Sequence, residues 1–306
     1  MKKQLYISEP QHVDVKRAKG LLSAEGWAVT EGTVNFAEGD HGNYSALMIR
    51  SETRVDQSIL THFPHLKSII RIGTGLDNVD LEFCKKNDIA VYNAAGANAD
   101  AVAEYVITMA LYVLRKINTL TTEDVMAWDR FKFRGASLHE QKVGLIGFGH
   151  IGWSLYRHLE AAGCESIYVY DPYVSPSTLP EKVTQVASID EIFSRSSLIS
   201  VQTPLTKTTK NLVSMKEISL LPEEAVLINV SHGGVVDESA VVKALGNRRR
   251  LTYISDTVSD EPHPNTALLN HPNIILTPHV ASLTGAAEAA MLEQAIANFL
   301  SQTTTI

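Results

Sequence analysis

Two cysteines in 306 residues, Cys84 and Cys164, are too few for a disulfide framework, and neither stands at metal-ligand spacing from another cysteine. Both read as buried thiols, no metal site is expected, and the expected compartment is a reducing cytoplasm. Long apolar runs are missing as well. No stretch approaches the roughly 20 residues needed to cross a bilayer, so no membrane partner is expected. The amino terminus, MKKQLYISEP, has two lysines, a short strand-like core and no small-residue cleavage site, so it makes a poor signal peptide. A basic excess is also lacking: 27 Lys and Arg stand against 34 Asp and Glu, a net charge of −7. That argues against a nucleic-acid partner, which needs a concentrated basic surface. The one dense basic run, Arg248-Arg249-Arg250, lies between a helix pattern and a strand pattern and reads as a solvated helix end. Repeats and low-complexity segments are absent too.

What remains is an ordinary globular composition, 44% hydrophobic and 20% charged, on a chain long enough for two domains. Short β-rich runs alternate with helical patterns, the mark of an α/β protein built on parallel sheets. Strands are expected over 4–8, 45–51, 66–72 and 89–93, with helices over about 12–25, 53–62 and 79–87. The Gly/Ala/Asn stretch NAAGANAD (93–100) then leads into AVAEYVITMALYVLRKI, whose apolar residues at 102, 103, 106, 107, 110, 111 and 114 have helical spacing. It marks a first crossing between domains. After an aromatic-rich connection, WDRFKFRG (128–135), a second unit is expected with strands over 142–148, 166–171, 198–203, 225–231, 251–257 and 273–277. A last helix, about 284–301, follows a second crossing near 281–285. If it packs back on the first domain, the second is inserted into the first, with a cleft between.

GFGHIG (147–152) has the form G-x-G-x-x-G, weak alone, yet here it follows the strand KVGLI and opens a helix pattern. Gly147 permits the tight turn, Gly149 lets backbone approach a pyrophosphate, and Gly152 lets helix and strand pack closely. The helix amino terminus offers N–H groups to the phosphates. Nineteen residues after Gly152 the next strand ends in Asp171. Its carboxylate can accept both ribose hydroxyls of an adenosine and repels a 2′-phosphate, and no arginine follows in DPYVSP, so NAD is expected rather than NADP. A methyltransferase with an adenosyl cofactor shows a similar loop and acid.

It does not explain the later strand ends. In LINVSHGGVVDE (227–238) a buried strand runs out at His232, followed by two glycines. LTYISDT ends with Asp256, and Glu261 follows in SDEP. NIILT is followed by Pro278 and His279. In open α/β sheets ligands gather at such ends. A histidine beside a carboxylate is a workable general acid, as carbonyl reduction by hydride requires when the alkoxide takes up a proton.

Together RIGTGLDNVDL (71–81), NAAGANADAVAE (93–104), WDRFKFRG, GFGHIG, QTPLTKTTKNLV (202–213), NVSHGGVVDESAVVKAL (229–245), DTVSDEP (256–262) and TPHVAS (277–282) resemble the D-isomer-specific 2-hydroxyacid dehydrogenase family. The closest flavour is of phosphoglycerate and hydroxypyruvate/glyoxylate-type members. The resemblance implies a Rossmann-type nucleotide-binding domain over 98–284, inserted into a flavodoxin-like substrate domain made of 1–97 and 285–306. It also implies a homodimer formed through the nucleotide-binding domain, and a small 2-oxo or 2-hydroxy acid as substrate. His279 matches the general acid/base and Glu261 its partner. Gly73, Thr74 and Gly75 match the loop whose amides hold the substrate carboxylate, with Arg71 beside it. Asp171 matches the ribose acid, and His150 and Ile151 the backbone over the pyrophosphate. Val106, Thr203 and Pro204, Val230, Ser231 and His232, Asp256, and the segment from His279 to Ser282 match positions lining the nicotinamide half. Arg134 is a candidate for reaching into a partner's cleft.

One departure matters: where the family carries an arginine that clamps the substrate's carboxylate and carbonyl, this chain has His232. Lesser departures are Ser197, where an aspartate often precedes the third strand, and Gln202, where a histidine often ends it. Arginine is a permanently charged, two-pronged donor, and imidazole is not. Three readings stay open. His232 gives one hydrogen bond to an ordinary 2-oxo acid, or the pocket has adapted to a different substrate, or the protein binds NAD(H) without catalysis.

Overall fold

The structure, a computed structural model, describes residues 3–32, 41–247 and 250–303. Arg248 and Arg249 therefore lie outside the described residues, as do Met1 and Lys2, while Arg250 pairs with Glu224. The strands are β1 (Gln4–Ile7), β2 (Ala28–Glu31), β3 (Ala46–Ile49), β4 (Ser68–Arg71), β5 (Ala90–Tyr92), β6 (Lys142–Ile146), β7 (Ser166–Tyr170), β8 (Val183–Gln185), β9 (Leu198–Val201), β10 (Ala225–Asn229), β11 (Leu251–Ser255) and β12 (Ile274–Leu276). The α-helices are α1 (Val15–Ala24), α2 (Ile59–His62), α3 (Leu81–Lys86), α4 (Ala99–Leu114), α5 (Thr122–Ala127), α6 (His150–Ala161), α7 (Ile189–Arg195), α8 (Met215–Leu220), α9 (Glu238–Leu245), α10 (Thr266–Leu269) and α11 (Gly285–Thr303). Two compact units result, one from residues 1–98 and 283–306, the other from the continuous segment 99–282.

The first unit holds a five-stranded sheet, all parallel, in the order β2-β1-β3-β4-β5. Side chains alternate across a strand, so β1 sends Leu5 and Ile7 to one face and Tyr6 to the other. Leu5 and Ile7 join a core with Ile70 and with Met291, Ile296 and Phe299 of α11. Tyr6 joins Leu47, Phe63 and Ile69 on the opposite face. Both faces are covered, as a parallel sheet demands. The carboxylate of Glu9, 2% exposed just past β1, accepts the amides of Arg50, Ser51, Glu52 and Thr53 at 2.9–3.1 Å. It thereby clamps the loop after β3. Burial pushes its pKa up, but these amides and the Thr53 hydroxyl outweigh that, and the net shift is downward.

The second unit holds a seven-stranded parallel sheet in the order β12-β11-β10-β9-β6-β7-β8. Counted from β6, this is the doubly wound order of dinucleotide-binding sheets with one more edge strand. Strand order reverses between β6 and β9, where a crevice opens at the carboxyl ends. Val143, Leu145, Ile228 and Ile254 pack under α4 and α6 with Val102 and Leu155. Ile146, Ile199, Leu227 and Tyr253 pack on the other face with Ile192 and Val241. Every residue of β10 is buried, which explains its unbroken apolar run. Ile117, Leu120, Met126, Trp128 and Phe131, in contrast, are 49–83% exposed. Both cysteines are buried and free, and burial raises their pKa. Among the described residues no helix is long and apolar enough to cross a membrane.

Candidate active site

The glycine loop sits at the reversal between β6 and β9. Gly147 has φ +95°, and a Cβ there would stand 3.1 Å from the Gln202 carbonyl oxygen. Its own carbonyl accepts Gln202 Nε2 at 2.8 Å, while Ser200 Oγ donates to Gln202 Oε1 at 2.7 Å. Gln202, at the end of the neighbouring strand, thus locks the turn. A Cβ on Gly152 would meet the Gly147 carbonyl oxygen at 2.7 Å, so the helix can lie this close only with glycine there. Gly149 differs: a Cβ would find nothing within 4 Å. It caps α6 without a side-chain hydrogen bond, leaving first-turn amides around His150 and Ile151 for an anion. The open space over Gly149 and the uncapped helix fit the pyrophosphate of a dinucleotide.

Asp171 follows β7 at the rim of an open cavity of about 560 Å³, with Tyr170, Pro172, Pro176 and Gln185 among its walls. Its two oxygens accept the amides of Phe148 and Tyr173, each at 2.8 Å. The carboxylate is thereby aimed, and each oxygen keeps a lone pair for a ribose hydroxyl. Thr203 and Pro204 continue from β9 beyond Gln202. Val106 is buried on the inner face of α4, and Val230 and Ser231 are buried at the end of β10. The Asn229 carboxamide oxygen accepts the Ser231 amide and hydroxyl.

His232 opens the next turn. A Cβ on Gly233 would lie 2.0 Å from the Val258 carbonyl oxygen, and Gly234 has φ +84°. The two glycines let this turn press against the 258–261 segment. There Glu261 Oε1 accepts the Val258 amide at 3.1 Å, and Oε2 lies 3.0 Å from His279 Nδ1. Burial pushes the Glu261 pKa up. The hydrogen bond and charge of His279, the Val258 amide and the charge of His232 outweigh it, and the carboxyl sits below its ordinary range. One carboxylate thus answers to both histidines.

His279 has φ +56°, a left-handed conformation rare outside glycine. Asp256, 2% exposed, accounts for it: its carbonyl accepts the His279 amide at 2.8 Å. Its carboxylate accepts the amides of Val280 and Ala281 at 2.8 Å and the Thr277 hydroxyl at 2.5 Å. The Tyr105 hydroxyl lies 2.6 Å from Thr277 Oγ1. Sequence reading alone did not single out Tyr105 or Thr277. Ser282 closes the unit four residues before Ala286 of α11, and Arg134 stands exposed after the 3₁₀ turn Arg130–Phe133.

In the other unit, Gly73 has φ +140°, and a Cβ there would stand 1.5 Å from Arg71 Nη1, so the guanidinium lies across the loop. Asn93 Nδ2 donates to the Thr74 carbonyl, and Thr74 Oγ1 reaches Asn98 Oδ1, both at 2.8 Å. The Gly73, Thr74 and Gly75 amides have no acceptor among the described residues. Burial lowers the Arg71 pKa, Asp77 opposes this, Arg50 adds to it and Glu9 opposes it. Among the described residues no cluster of His, Cys, Asp or Glu could hold a metal ion.

The profile of the D-isomer specific 2-hydroxyacid dehydrogenase NAD binding domain matches residues 107–281. An (S)-sulfolactate dehydrogenase of Chromohalobacter salexigens is 33% identical over 243 residues, 78% of this chain and 78% of that protein. A D-3-phosphoglycerate dehydrogenase of Bacillus subtilis is 28% identical over 283 residues, 91% of this chain and 54% of the relative. The chain thus spans about half the length of such phosphoglycerate dehydrogenases. The crystal structure of a glyoxylate reductase from Paecilomyes thermophila matches with a TM-score of 0.85 at 23% identity, over 100% of this chain and 97% of that one. With more than half its length matched by the profile, this chain belongs to the D-isomer specific 2-hydroxyacid dehydrogenase family.

Proposed function

We propose that the protein is an NAD-dependent oxidoreductase that interconverts a small D-2-hydroxy acid and its 2-oxo acid. The observation that carries this reading is the 3.0 Å contact between His279 Nδ1 and Glu261 Oε2, on the sheet edge that also bears the glycine loop. An ionised carboxylate only accepts, so Nδ1–H donates to it and Nε2 carries the exchangeable proton. NAD, when bound, supplies or accepts the hydride. The chain's residues do the rest. In reduction His279 gives the Nε2 proton to the nascent alkoxide, and in oxidation it takes that proton back. Glu261 holds the ring and favours the imidazolium. The first-turn amides of α6 bind the pyrophosphate, and Asp171 accepts the ribose hydroxyls and disfavours a 2′-phosphate.

The Gly73–Gly75 amides, with Arg71 beside them, hold the substrate carboxylate in this reading. His232 supplies one hydrogen bond where the family's arginine supplies a fork. The sulfolactate and phosphoglycerate dehydrogenases act, by their names, on small 2-hydroxy acids, which supports the substrate class. The exposed apolar residues between Ile117 and Phe131 support a homodimer through the nucleotide-binding unit, since a second copy would cover them. Two buried, unpaired cysteines accord with a cytoplasmic setting.

The test is NADH oxidation with glyoxylate, hydroxypyruvate and pyruvate, in the wild type and in His279→Gln. Loss of a general acid lowers kcat by about 10²–10⁴-fold, while NADH affinity stays. A wild type that binds NADH yet reduces no oxo acid is instead a non-catalytic NAD(H)-binding protein, the alternative that His232 invites. Undiminished turnover in the variant removes His279 from the mechanism.

A further inference from the structure

Three groups outside the proton-transfer pair form one continuous chain in the nucleotide-binding unit. Tyr105 stands on α4, half-buried, and its hydroxyl oxygen is 2.6 Å from Thr277 Oγ1. Thr277 Oγ1 is 2.5 Å from Asp256 Oδ1. Each hydroxyl has one proton, and an ionised carboxylate only accepts. With Asp256 ionised the direction is fixed: Tyr105 donates to Thr277, and Thr277 donates to Asp256. The carboxylate's remaining partners are the amides of Val280 and Ala281, the two residues after His279. On its other side His279 is tied by its amide to the carbonyls of Asp256 and Thr277, at 2.8 and 3.0 Å. These backbone bonds at and after the left-handed residue thus lead back to Asp256 and Thr277. Such a conformation in a bulky residue persists only when its surroundings hold it.

We propose that Tyr105 and Thr277, acting through Asp256, are positioning residues that fix the left-handed turn from which His279 meets Glu261. The proposal rests on the reading of His279 as the general acid/base for its consequence in catalysis, but not for its geometry. Thr277 is the centre of the chain. Without its hydroxyl, Asp256 loses the one side-chain donor it has among the described residues, and Tyr105 loses its acceptor. Buried hydrogen-bonded chains polarise one another, so the two hydroxyls should act as a unit rather than additively. Burial is the larger reason that the Tyr105 phenol is raised to about 12; Thr277 lowers it and the Asp256 charge raises it. Tyr105 thus stays a neutral donor across the working range. Among the described residues, Glu261 faces His279 directly, and the Glu261 carboxylate also feels the charge of His232.

The test uses Tyr105→Phe and Thr277→Val, which remove one hydroxyl each, Thr277→Ser, which restores it, and the double variant. Two measurements are made on the intact chain. The first is the NMR titration of the His279 imidazole, assigned by its absence from His279→Gln, which needs no substrate. The second is the pH profile of kcat with NADH and whichever oxo acid the wild type reduces. In Tyr105→Phe and Thr277→Val the His279–Glu261 coupling weakens, so the His279 protonation equilibrium should move toward the neutral form by about threefold or more. In the kinetic profile the acid and base limbs draw together, and kcat falls by about tenfold. Thr277→Ser restores both, and the double variant is no worse than Thr277→Val. If both single variants titrate like the wild type while melting earlier, the chain is a structural tie only and the proposal fails. If the titration moves but no oxo acid is turned over even by the wild type, positioning stands and the catalytic reading falls.

Discussion

Gly233→Ala bears most directly on how the site is assembled. A methyl group at this position would stand 2.0 Å from the Val258 carbonyl oxygen, 2.1 Å from its carbon and 2.4 Å from the Ser259 nitrogen. All three are backbone atoms, so no rotamer change relieves the overlap. Carbon atoms rest at about 3.5–4.0 Å from one another, so the His232 turn and the 258–261 segment must separate by more than about 1 Å. The segment that moves carries Glu261, whose Oε2 lies 3.0 Å from His279. A displacement of about 1 Å in a catalytic constellation can cost about 10²-fold in rate. The expected kcat loss is of that order. Overpacking costs about 1–3 kcal/mol, and for 150–250 residues each kcal/mol moves Tm by about 2–4 °C, so Tm should fall by roughly 2–12 °C. Two neighbours calibrate the result by differential scanning calorimetry and steady-state kinetics. Gly234→Ala meets only Leu205 Cδ1 at 3.9 Å and suffers from its φ of +84° alone; it should lose about 1–2 kcal/mol and little kcat. Gly149→Ala meets nothing within 4 Å; it should melt normally and bind NADH more weakly. A Gly233→Ala protein with the kcat and Tm of the wild type would refute the close approach that brings these segments together.

The remaining predictions concern charge. His232→Arg introduces a permanent two-pronged donor and should raise kcat/KM for glyoxylate or hydroxypyruvate about tenfold or more, each good charge-assisted bond contributing about 1.5–3 kcal/mol; a fall for all three oxo acids would mean that the pocket has adapted to another substrate. In the same variant a fixed positive charge faces Glu261, whose carboxyl is already held low. The acid limb of its kcat/KM profile should therefore move to lower pH, and an unmoved limb would detach His232 from that carboxylate. Glu9→Gln puts an amide donor against backbone N–H groups that all seek an acceptor. Each buried group left unpaired costs about 1–3 kcal/mol, and Tm at pH 7 should drop accordingly. Because the folded-state pKa of Glu9 is depressed, its contribution is fully present above the unfolded value of about 4.3 and is lost as pH falls toward the folded one. The gap between wild type and variant should narrow on acidification; a gap constant with pH would contradict the assignment.

Much of the fold was legible because both sheets follow simple apolar periods. Runs such as SALMI and AVLIN announce buried strands, and β3 and β10 lie inside the expected ranges. Two strands escaped for a physical reason. β2 has no buried residue and β8 none either, so both are edge strands without an apolar signal. The helix expected over 53–62 is only Ile59–His62, because Val55 is drawn into a bridge with Val79 and is buried there. α4 starts at Ala99, ahead of the apolar stripe that marked it, and the last helix runs to Thr303 rather than 301. In the candidate site, the glycine loop and Asp171 were visible from local context, strand before and helix after. His279 and Glu261 were visible as residues at strand ends, and as a pair only through the family resemblance.

What the chain determined by itself, then, is whatever depends on neighbours in sequence: the strand–turn–helix that a dinucleotide needs, the alternation of elements, the histidine followed by two glycines at the end of a buried strand. What only the tertiary structure decided depends on strand order, since β9 lies beside β6 although 51 residues separate Ile146 from Leu198 by number. That order puts Gln202 under Gly147, Gly233 against Val258, and Tyr105 within 2.6 Å of Thr277 across 172 residues. Loop closure over such lengths is decided by the packing of whole elements, not by local preference. For that reason the turn that holds His279 in its left-handed conformation has no signature in the linear sequence.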